Sequence, residues 1–441
     1  MKTFEQLGII EQILRATTQA GYLTPTPIQE EAIPLLLAGK DILGSAQTGT
    51  GKTAAFAIPI LQQIFLRQNK DGKRGIRALV LAPTRELAIQ TADNFTIYAK
   101  YINIRNVVIY GGVPQKKQEV ALAKGTDILV ATPGRLLDLI NQKIIHLDQV
   151  EFLVLDEADQ MLDMGFIKDV NKIVSFVRKD RQTMLFSATM PKSIEALSQQ
   201  ILKNPIRIAV TPVTETLDVI NQTLYHVVKK QKTNLLIHLI IQKKMDSVLV
   251  FSRTKHGANK IVKELLAANI NAEAIHGNKS QSAREKALAN FKAGRTNVLV
   301  ATDIAARGID IEALSYVFNY DLPEVPEIYI HRIGRTGRAG LSGQTIAFCD
   351  PEERDLLQAI EKHINTKIEI VADHPFSFKN IPAEVQSTPE QEQGPRRYKQ
   401  STPNYSKGNP VRQKSSGNNK RTDNPKKSFN QKNPKNKTIF K

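Results

Sequence analysis

The sequence predicts an α/β protein of two domains with parallel sheets, and three observations carry that expectation. From the N-terminus to about Ala209, short apolar runs alternate with amphipathic stretches: DILGSA, RALVLAP, TDILVATP, EFLVLDEA and QTMLFSAT. After a turn-rich stretch, VTPVTETLD, the rhythm restarts with DSVLVFSRT, AEAIHG, TNVLVATD, LSYVFNYD and GQTIAFCD. Apolar runs of this length, separated by helical patterns, are the signature of βαβ units whose strands are buried on both faces. The halves also echo one another, since DILVATPGR at Asp127–Arg135 resembles NVLVATDIAARG at Asn297–Gly308. The expected organisation is a first domain over 1–209, a linker over 210–220, a second domain over 221–376 and a tail over 377–441.

Bulk composition narrows the function classes. A length of 441 residues allows about three average domains, or two larger ones with an unfolded remainder. Met1-Lys2-Thr3-Phe4 opens without an apolar signal region, and no segment reaches the ~20 apolar residues of a membrane span, so no membrane association is expected. The single cysteine, Cys349, excludes a disulfide framework and a cysteine metal site; a reducing, cytoplasmic setting and a buried thiol are expected. The net charge is +18, of which residues 391–441 hold +12, with fourteen Lys/Arg against Glu392 and Asp423. The other 390 residues carry +6. This balance points to a polyanionic partner. From about Ser377 the chain is rich in Lys, Asn, Gln, Ser and Pro with few aromatics, a composition that cannot bury enough surface to fold, and disorder is expected.

Within the first half, DILGSAQTGTGKTAAFAIPIL reads as strand, glycine loop and helix. Gly49 and Gly51 let the backbone N–H groups curl toward phosphate oxygens, and the helix N-terminus adds its dipole. Lys52 is placed to reach the β- and γ-phosphates and the Thr53 hydroxyl to bind Mg²⁺; Ala46 stands where the general pattern has its first glycine. PTRELA and TPGR follow strands and should open helices, with Thr84 and Thr132 as caps and Pro133 at the first helical position. Helix N-termini of this kind accept phosphate, so these turns, the Arg135 side chain and the Gly111-Gly112 amides are candidate backbone contacts for a nucleic acid.

FLVLDEADQML puts three carboxylates at the end of an apolar strand. They suit helix capping, a metal or proton chemistry alike. With a phosphate loop in the same domain, Asp156 fits as the carboxylate aimed at Mg²⁺ and Glu157 as the group that orients and activates an attacking water. In the second half, HRIGRTGR places three arginines within seven residues after the apolar, aromatic IYI, and no phosphate loop accompanies them. Read alone it is a basic turn, although its two glycines argue for a specific geometry.

Together, AQTGTGKT and Asp156-Glu157-Ala158-Asp159 resemble the DEAD-box family of ATP-dependent RNA helicases. Further matches follow in order: GYLTPTPIQ with Phe4 upstream, PTRELA, Gly111-Gly112, TPGR, SAT at Ser187–Thr189, VFSRTK, QSAR, ATDIAARGID and HRIGRTGR, covering roughly residues 1–375. DMGFI, RTKHGAN and IHGNKSQ are most similar to the bacterial RhlE-type subgroup. The resemblance implies tandem RecA-like domains that bind ATP and Mg²⁺, and it makes Ala46 an ordinary family feature.

Carried onto this sequence, the resemblance gives an ATP site of Ala46, Gln47, Thr48, Gly49, Thr50, Gly51, Lys52 and Thr53, with Gln29 reading the adenine edge and Phe4 and Tyr22 stacking on the ring. Gly308 and Asp310 would lie at the ribose. Arg335 and Arg338 would be arginine fingers, with His331 beside them among the catalytic residues. RNA contacts would come from Pro83, Thr84, Arg85, Gly111, Gly112, Thr132, Pro133, Gly134 and Arg135, and from Arg253, Thr254, Gly277 and Thr302. Asp159, Ser187 and Thr189 would couple the two sites. Loop and fingers on different domains imply an active site completed by closure.

The expected activity is RNA-stimulated ATP hydrolysis that locally unwinds duplexes or remodels RNA–protein complexes. Phosphate and sugar contacts carry no base information, so recognition should be largely independent of sequence. Ribosomal precursors and messenger-decay components are the partners that fit. A nucleotide-gated RNA clamp or annealing chaperone, and a DNA-directed ATPase, are the competing readings, and the basic tail reads as a salt-sensitive RNA tether or as a solubilising segment.

Overall fold

A computed structural model describes residues 2–46, 49–67, 74–209, 220–306, 311, 314–336 and 343–377. Among the described residues the chain forms two seven-stranded sheets, ordered β3-β4-β2-β5-β6-β1-β7 and β10-β11-β9-β12-β13-β8-β14, and both belong to one compact unit. Their strands are parallel throughout. The tandem RecA-like α/β expectation therefore holds.

The first half opens with a 3-10 turn, Glu5–Leu7, then α1 (Glu11–Gln19) and α2 (Pro27–Leu37). Next come β1 (Ile42–Ser45), α3 (Lys52–Leu66), β2 (Ala78–Leu81), α4 (Arg85–Tyr98), β3 (Asn106–Ile109), α5 (Gln115–Ala123) and β4 (Ile128–Ala131). It continues through α6 (Pro133–Asn141), β5 (Phe152–Leu155), α7 (Ala158–Asp163), α8 (Ile167–Phe176), β6 (Gln182–Ser187), α9 (Lys192–Ile201) and β7 (Ile206–Ala209).

The second half runs β8 (Ile220–His226), α10 (Lys232–Gln242), β9 (Val248–Phe251), α11 (Lys255–Ala267), β10 (Ala272–Ile275), α12 (Gln281–Lys292) and β11 (Val298–Ala301). Then follow α13 (Asp303–Ala306), β12 (Tyr316–Asn319), α14 (Pro326–Ile333), β13 (Gly343–Cys349), α15 (Arg354–Ile364) and β14 (Glu369–Ile370). β8 opens at Ile220, the last residue of the stretch expected as a linker. The remaining linker residues, 210–219, and the tail beyond Ser377 lie outside the described residues.

Alternation along each strand splits the core into layers. On β5, Phe152 and Val154 join Phe56, Phe95 and Phe186 on one face, whereas Leu153 and Leu155 join Leu136, Met161 and Ile173 on the other. The second sheet repeats this: Val248 and Val250 pack with Phe318 and Phe348, while Leu249 and Phe251 pack with Leu299 and Val317. Strands covered on both sides have no polar face, which is why they read as unbroken apolar runs. Cys349 closes β13 inside a third cluster, with Tyr329 and Ile360, and is buried.

Register fixes where the motifs end. Ser45 is level with Ser187, and Leu81 with both Ala131 and Leu155. The residues that follow, among them Ala46, Thr132 and Asp156, therefore share one edge, the carboxyl end where open α/β sheets bind ligands. In the second sheet Phe251 is level with Ala301, and Ala301 with Ile275, which brings Ser252, Thr302 and His276 to the matching edge. Among the described residues, no helix is long and apolar enough to cross a membrane.

Candidate active site

The glycine loop begins at Ala46 and ends on α3. Gly51 is the helix cap, with φ +92°, and a Cβ there would collide with the Gln29 amide and the Thr26 hydroxyl. Glycine is required at this position both by the backbone and by that contact. Gln29 is fully buried. Its Oε1 accepts from Thr26 N at 3.0 Å, closing the capping box of α2, and its Nε2 donates to Gly51 O at 3.1 Å. Thr26 Oγ1 donates to Thr50 O at 2.8 Å. The start of α2 thus braces the loop from behind. Gln29 therefore acts both as a helix-start residue of α2 and as a brace for the loop.

Lys52 is buried, and its Nζ donates to Ala46 O at 2.8 Å, folding the cation over the loop. Phe4, also buried, packs with Leu7, Ile9 and Ile28 in the first core layer, and Tyr22 meets Tyr98 edge-on with ring centroids 5.6 Å apart. Gln47, Thr48, Gly308, Asp310 and Arg338 lie outside the described residues.

The acids divide by geometry. Asp156, at the end of β5, is buried, and its Oδ1 accepts no hydrogen bond among the described residues. Burial pushes its carboxyl up to about 7, opposed by Lys52 and reinforced by Glu157. A buried oxygen without a donor, on a carboxylate costly to ionise, suits a cation. Glu157 is buried too and sits at φ +53°, ψ +55° as the cap of α7. Seven described non-glycine residues have positive φ, and the other six are exposed Lys, Asn or Ser. A buried glutamate in the left-handed region costs about 1–3 kcal/mol, a strain that is retained where it aims a side chain.

Asp159 faces elsewhere. Its Oδ2 accepts from Ala188 N at 3.1 Å, Thr189 N at 2.9 Å and Thr189 Oγ1 at 3.0 Å. Its own N–H donates to Ser187 Oγ at 3.1 Å, and Ser187 Oγ donates to Thr189 O at 2.8 Å. One carboxylate therefore gathers the whole turn after β6. That turn lines a cleft of about 500 Å³ with Asp159, Val325, Ile328, His331 and Arg335. Arg335 is buried, and with His331 it also lines a small crevice beside Gln160, Phe251 and Arg332. Lys52, Asp156 and Glu157 are not part of the larger cleft's wall.

A second cleft, of about 470 Å³, gathers residues from both sheets. Pro83, Thr84, Arg85, Gly111, Thr132, Gly134 and Arg135 face Gly277 across it. Thr84 Oγ1 caps α4 by accepting from Leu87 N at 3.3 Å, and Pro133 opens α6. Gly112, at φ +80°, leaves room for the Arg85 guanidinium, which lies where a Cβ would be. Arg135 donates to Val113 O at 3.4 Å, and its Nη1 is a buried donor without a partner among the described residues. Two helix N-termini, Gly111 and a guanidinium with a buried, unpartnered Nη1 give this wall donors of the kind that phosphate accepts from.

The comparisons with known proteins decide the family. A DEAD/DEAH box helicase domain matches residues 26–197, and a helicase conserved C-terminal domain matches 231–340. The chain is 43% identical over 359 residues to the ATP-dependent RNA helicase CshA of Limosilactobacillus reuteri, which covers 81% of this chain and 71% of the relative. It belongs to the DEAD-box family of ATP-dependent RNA helicases. RhpA of Helicobacter pylori, strain ATCC 700392 / 26695, a DEAD-box ATP-dependent RNA helicase, is 42% identical over 368 residues, 83% of this chain and 74% of RhpA. S. cerevisiae Dbp5 bound to RNA and ADP BeF3 superposes with a TM-score of 0.75 at 34% identity, covering 84% of this chain and 96% of that one.

Within this DEAD-box helicase the structure separates some residues that the sequence grouped. Arg253 turns its guanidinium from the second cleft toward Glu353 Oε1, at 2.9 Å, and Leu322 O, at 3.1 Å. Thr254 caps α11 by accepting from Gly257 N at 3.0 Å, and Thr302 O accepts from Ala305 and Ala306 at the start of α13. Arg332, the first arginine of HRIGRTGR, is spent within the second sheet's half: it pairs with Asp303 through both Nε and Nη2, at 2.6 and 2.8 Å, and reaches Asn319 Oδ1 at 3.0 Å.

Other cleft residues escaped the sequence reading. Arg284 and Glu86 form a buried ion pair at 2.9 Å that joins the two halves beside the cleft, and Gln281 contacts Arg85 and Glu86. Met164, Phe166 and Ile304 supply its apolar lining. QSAR and DMGFI carried the signal, but neither has meaning until the sheets are side by side. Beneath Arg253, buried Lys232 contacts Glu353 at 2.6 Å, Asp350 at 3.2 Å and Asp321 at 3.6 Å.

Proposed function

We propose that this DEAD-box helicase binds ATP on the glycine loop and RNA in the second cleft, and that its two sheet-bearing halves, 1–209 and 221–376, close on each other to complete the ATPase site. The observation that carries the reading is the buried Asp156 and strained Glu157 at the carboxyl edge shared with Lys52, in a chain whose second cleft is walled by both halves. Lys52 would leave Ala46 O for the β- and γ-phosphates. Thr53 and Asp156 would hold Mg²⁺, the Asp156 oxygen without a donor being the feature that fits the ion. When bound with the triphosphate, Mg²⁺ would neutralise phosphate charge. Among the described residues no group of three or more His, Cys, Asp or Glu could cage a metal alone, so phosphate oxygens and water would complete its shell.

Glu157 takes the proton of the attacking water as general base. Arg335 and Arg338, with His331, approach from the second half to offset charge on the transferred phosphoryl group; an arginine finger is worth about 10³–10⁵ in rate. Gln29 offers its remaining amide hydrogen to the adenine edge, between Phe4 and Tyr22, with Asp310 and Gly308 at the ribose. Asp159 and the Ser187–Thr189 turn relay the nucleotide state to the RNA wall. On that wall Pro83–Arg85, Gly111-Gly112, Thr132–Arg135, Gly277 and Thr302 hold the sugar-phosphate backbone, joined by Arg253 and Thr254 once Arg253 turns from Glu353.

The 377–441 tail is proposed as a cationic tether for RNA. For the cell we propose a cytoplasmic bacterial enzyme of the RhlE type acting on ribosomal precursors or messenger RNA. ATP turnover without nucleic acid, with RNA and with DNA of equal length is the test. RNA-selective stimulation together with loss of a duplex supports unwinding. Binding without stimulated turnover would convert the protein into a nucleotide-gated clamp, and equal stimulation by DNA would remove the RNA claim.

A further inference from the structure

The N-terminal arm, which carries Phe4, has no strand or long helix of its own to fix it. It is a 3-10 turn, Glu5–Leu7, followed by Gly8 at φ +80°. So short an arm has little local structure, and contacts with the rest of the fold set where Phe4 lies: the ring's own packing with Ile28, and bonds that hold the arm's backbone. The only side chain among the described residues that bonds the backbone on both sides of Ile9 is Gln62, near the far end of α3. Its Oε1 accepts from Ile10 N at 3.0 Å and its Nε2 donates to Gly8 O at 2.8 Å, across more than fifty residues of chain. Gln62 is 6% exposed, and Phe4, four residues before Gly8, is 4% exposed. From the other side Lys2 N donates to Glu30 Oε1, next to Gln29, at 3.2 Å.

We infer that Gln62 is a positioning residue for nucleotide binding, which acts by holding the arm that presents Phe4. The inference rests on the reading of Phe4 as the adenine-stacking residue. Its physical content is that one rigid helix sets both ends of the nucleotide site. Lys52 begins α3 at the phosphate loop, and Gln62 lies ten residues along the same helix, about 15 Å away at 1.5 Å per residue. Through Gln62 the distance from phosphate grip to arm becomes a property of a helix rather than of a loop. Without the amide, Gly8 O and Ile10 N would have to find water or another partner, and the arm would sample positions in which Phe4 does not face the base. Such sampling lowers the apparent affinity for ATP in proportion to the fraction of competent arms and leaves the turnover of bound ATP alone.

The test is a double-mutant cycle in the full chain, with steady-state ATPase at saturating RNA and melting temperature measured on each protein. Phe4→Ala and Gln62→Leu are each expected to raise KM for ATP on the order of tenfold, equivalent to about 1.4 kcal/mol, with kcat unchanged. The double variant is expected to match the larger single effect, because Gln62 acts through Phe4. A merely structural glutamine would lower the melting temperature without this KM-only signature and without coupling to Phe4. If Phe4→Ala raises KM and Gln62→Leu does not, or if the two effects multiply, the positioning role is wrong while the Phe4 reading stands. If Phe4→Ala itself leaves KM unchanged, the reading of Phe4 fails and takes the inference with it. Should Gln62→Leu not fold, Gln62→Glu, which keeps the acceptor for Ile10 N and loses the donor to Gly8 O, enters the cycle under the same criteria.

Discussion

Replacing Asp159 by asparagine preserves its shape and removes its charge, which makes Asp159→Asn a sharp probe of the turn after β6. In the wild type Oδ2 accepts from Ala188 N, Thr189 N and Thr189 Oγ1, and Oδ1 accepts from Gln160 N at 3.0 Å. An asparagine has one acceptor oxygen. If it faces the turn, its amide nitrogen meets the Gln160 N–H and a buried donor is stranded. If it faces Gln160, the two backbone donors of the turn meet another donor instead.

The first orientation is the less costly. It strands one donor, at about 1–3 kcal/mol, and turns three charge-assisted bonds into neutral ones, at about 1 kcal/mol each in a dry site. Ala188 and Thr189 are partly exposed, so water recovers some of this, and about 2–4 kcal/mol is expected. For a domain of this size that lowers the melting transition by roughly 4–16 °C. Among the described residues no hydrogen bond or ion pair joins Asp159 to Lys52, so RNA-independent ATP turnover should persist below that transition while strand separation is lost. Differential scanning calorimetry and a duplex-displacement assay on the same preparation check both parts. Unchanged melting with intact strand separation would refute the argument that one carboxylate organises this turn.

Four further outcomes follow from the same geometry and from charge. Glu157→Gln should lower turnover on the order of 10²–10⁴-fold yet keep ATP-dependent RNA binding by fluorescence anisotropy; surviving turnover would mean that another group is the base. Lys232→Met removes the buried cation shared by Glu353, Asp350 and Asp321, leaving Arg253 as the ion-pair partner of Glu353, and should cost up to about 3–5 kcal/mol in urea unfolding, part of which Lys232→Met with Glu353→Gln should restore. His226, His276 and His374 are held below the ordinary histidine value of 6.5, mainly by burial. At these three positions the unfolded chain binds more protons in that window, so their contribution to stability is present above about pH 6.5 and is lost as pH falls, while Asp156, held up to about 7, contributes in the opposite direction. An Asp156→Asn variant whose melting temperature rises on acidification would contradict the histidine contribution. Removing residues 391–441 should weaken RNA binding and flatten its dependence on log salt while basal ATPase is spared; an unchanged salt slope would leave the tail a solubilising segment.

What the sequence made legible were features whose chemistry is local. Strands buried on both faces show as apolar runs, so the alternation that predicts two parallel sheets is the physics of the sheet itself. Gly51 and Lys52 are spaced by the needs of one turn, and Asp156 and Glu157 end a strand whatever surrounds it. Less legible were residues whose meaning depends on a partner far along the chain. Glu86 reads as an ordinary helix-start acid until Arg284, about two hundred residues later, lies 2.9 Å away. Arg253 reads as a free cation at a strand end until Glu353 takes its guanidinium. Arg332, Arg335 and Arg338 are indistinguishable in HRIGRTGR, and only Asp303, on another helix, marks Arg332 as a brace within its own half.

The same distinction bears on how ATP and RNA communicate. On the proposed reading no long relay is needed, because Asp156, the strained Glu157 and the turn-gathering Asp159 fall within four residues on the step from β5 into α7. Glu157 sits at the joint in a backbone conformation that its surroundings must enforce, directly before the six-residue α7. On that reading a change of charge at Asp156 would act on the start of α7, and Asp159 would pass a displacement to Ala188 and Thr189 through its three hydrogen bonds. Those two residues wall the cleft that Arg335 also lines, so a displacement there would meet the second half without crossing the core. On this view the two acid substitutions should separate cleanly. Glu157→Gln breaks chemistry and leaves the linkage, whereas Asp159→Asn breaks the linkage and leaves chemistry. A single phenotype for both would mean that the four residues act as one catalytic unit.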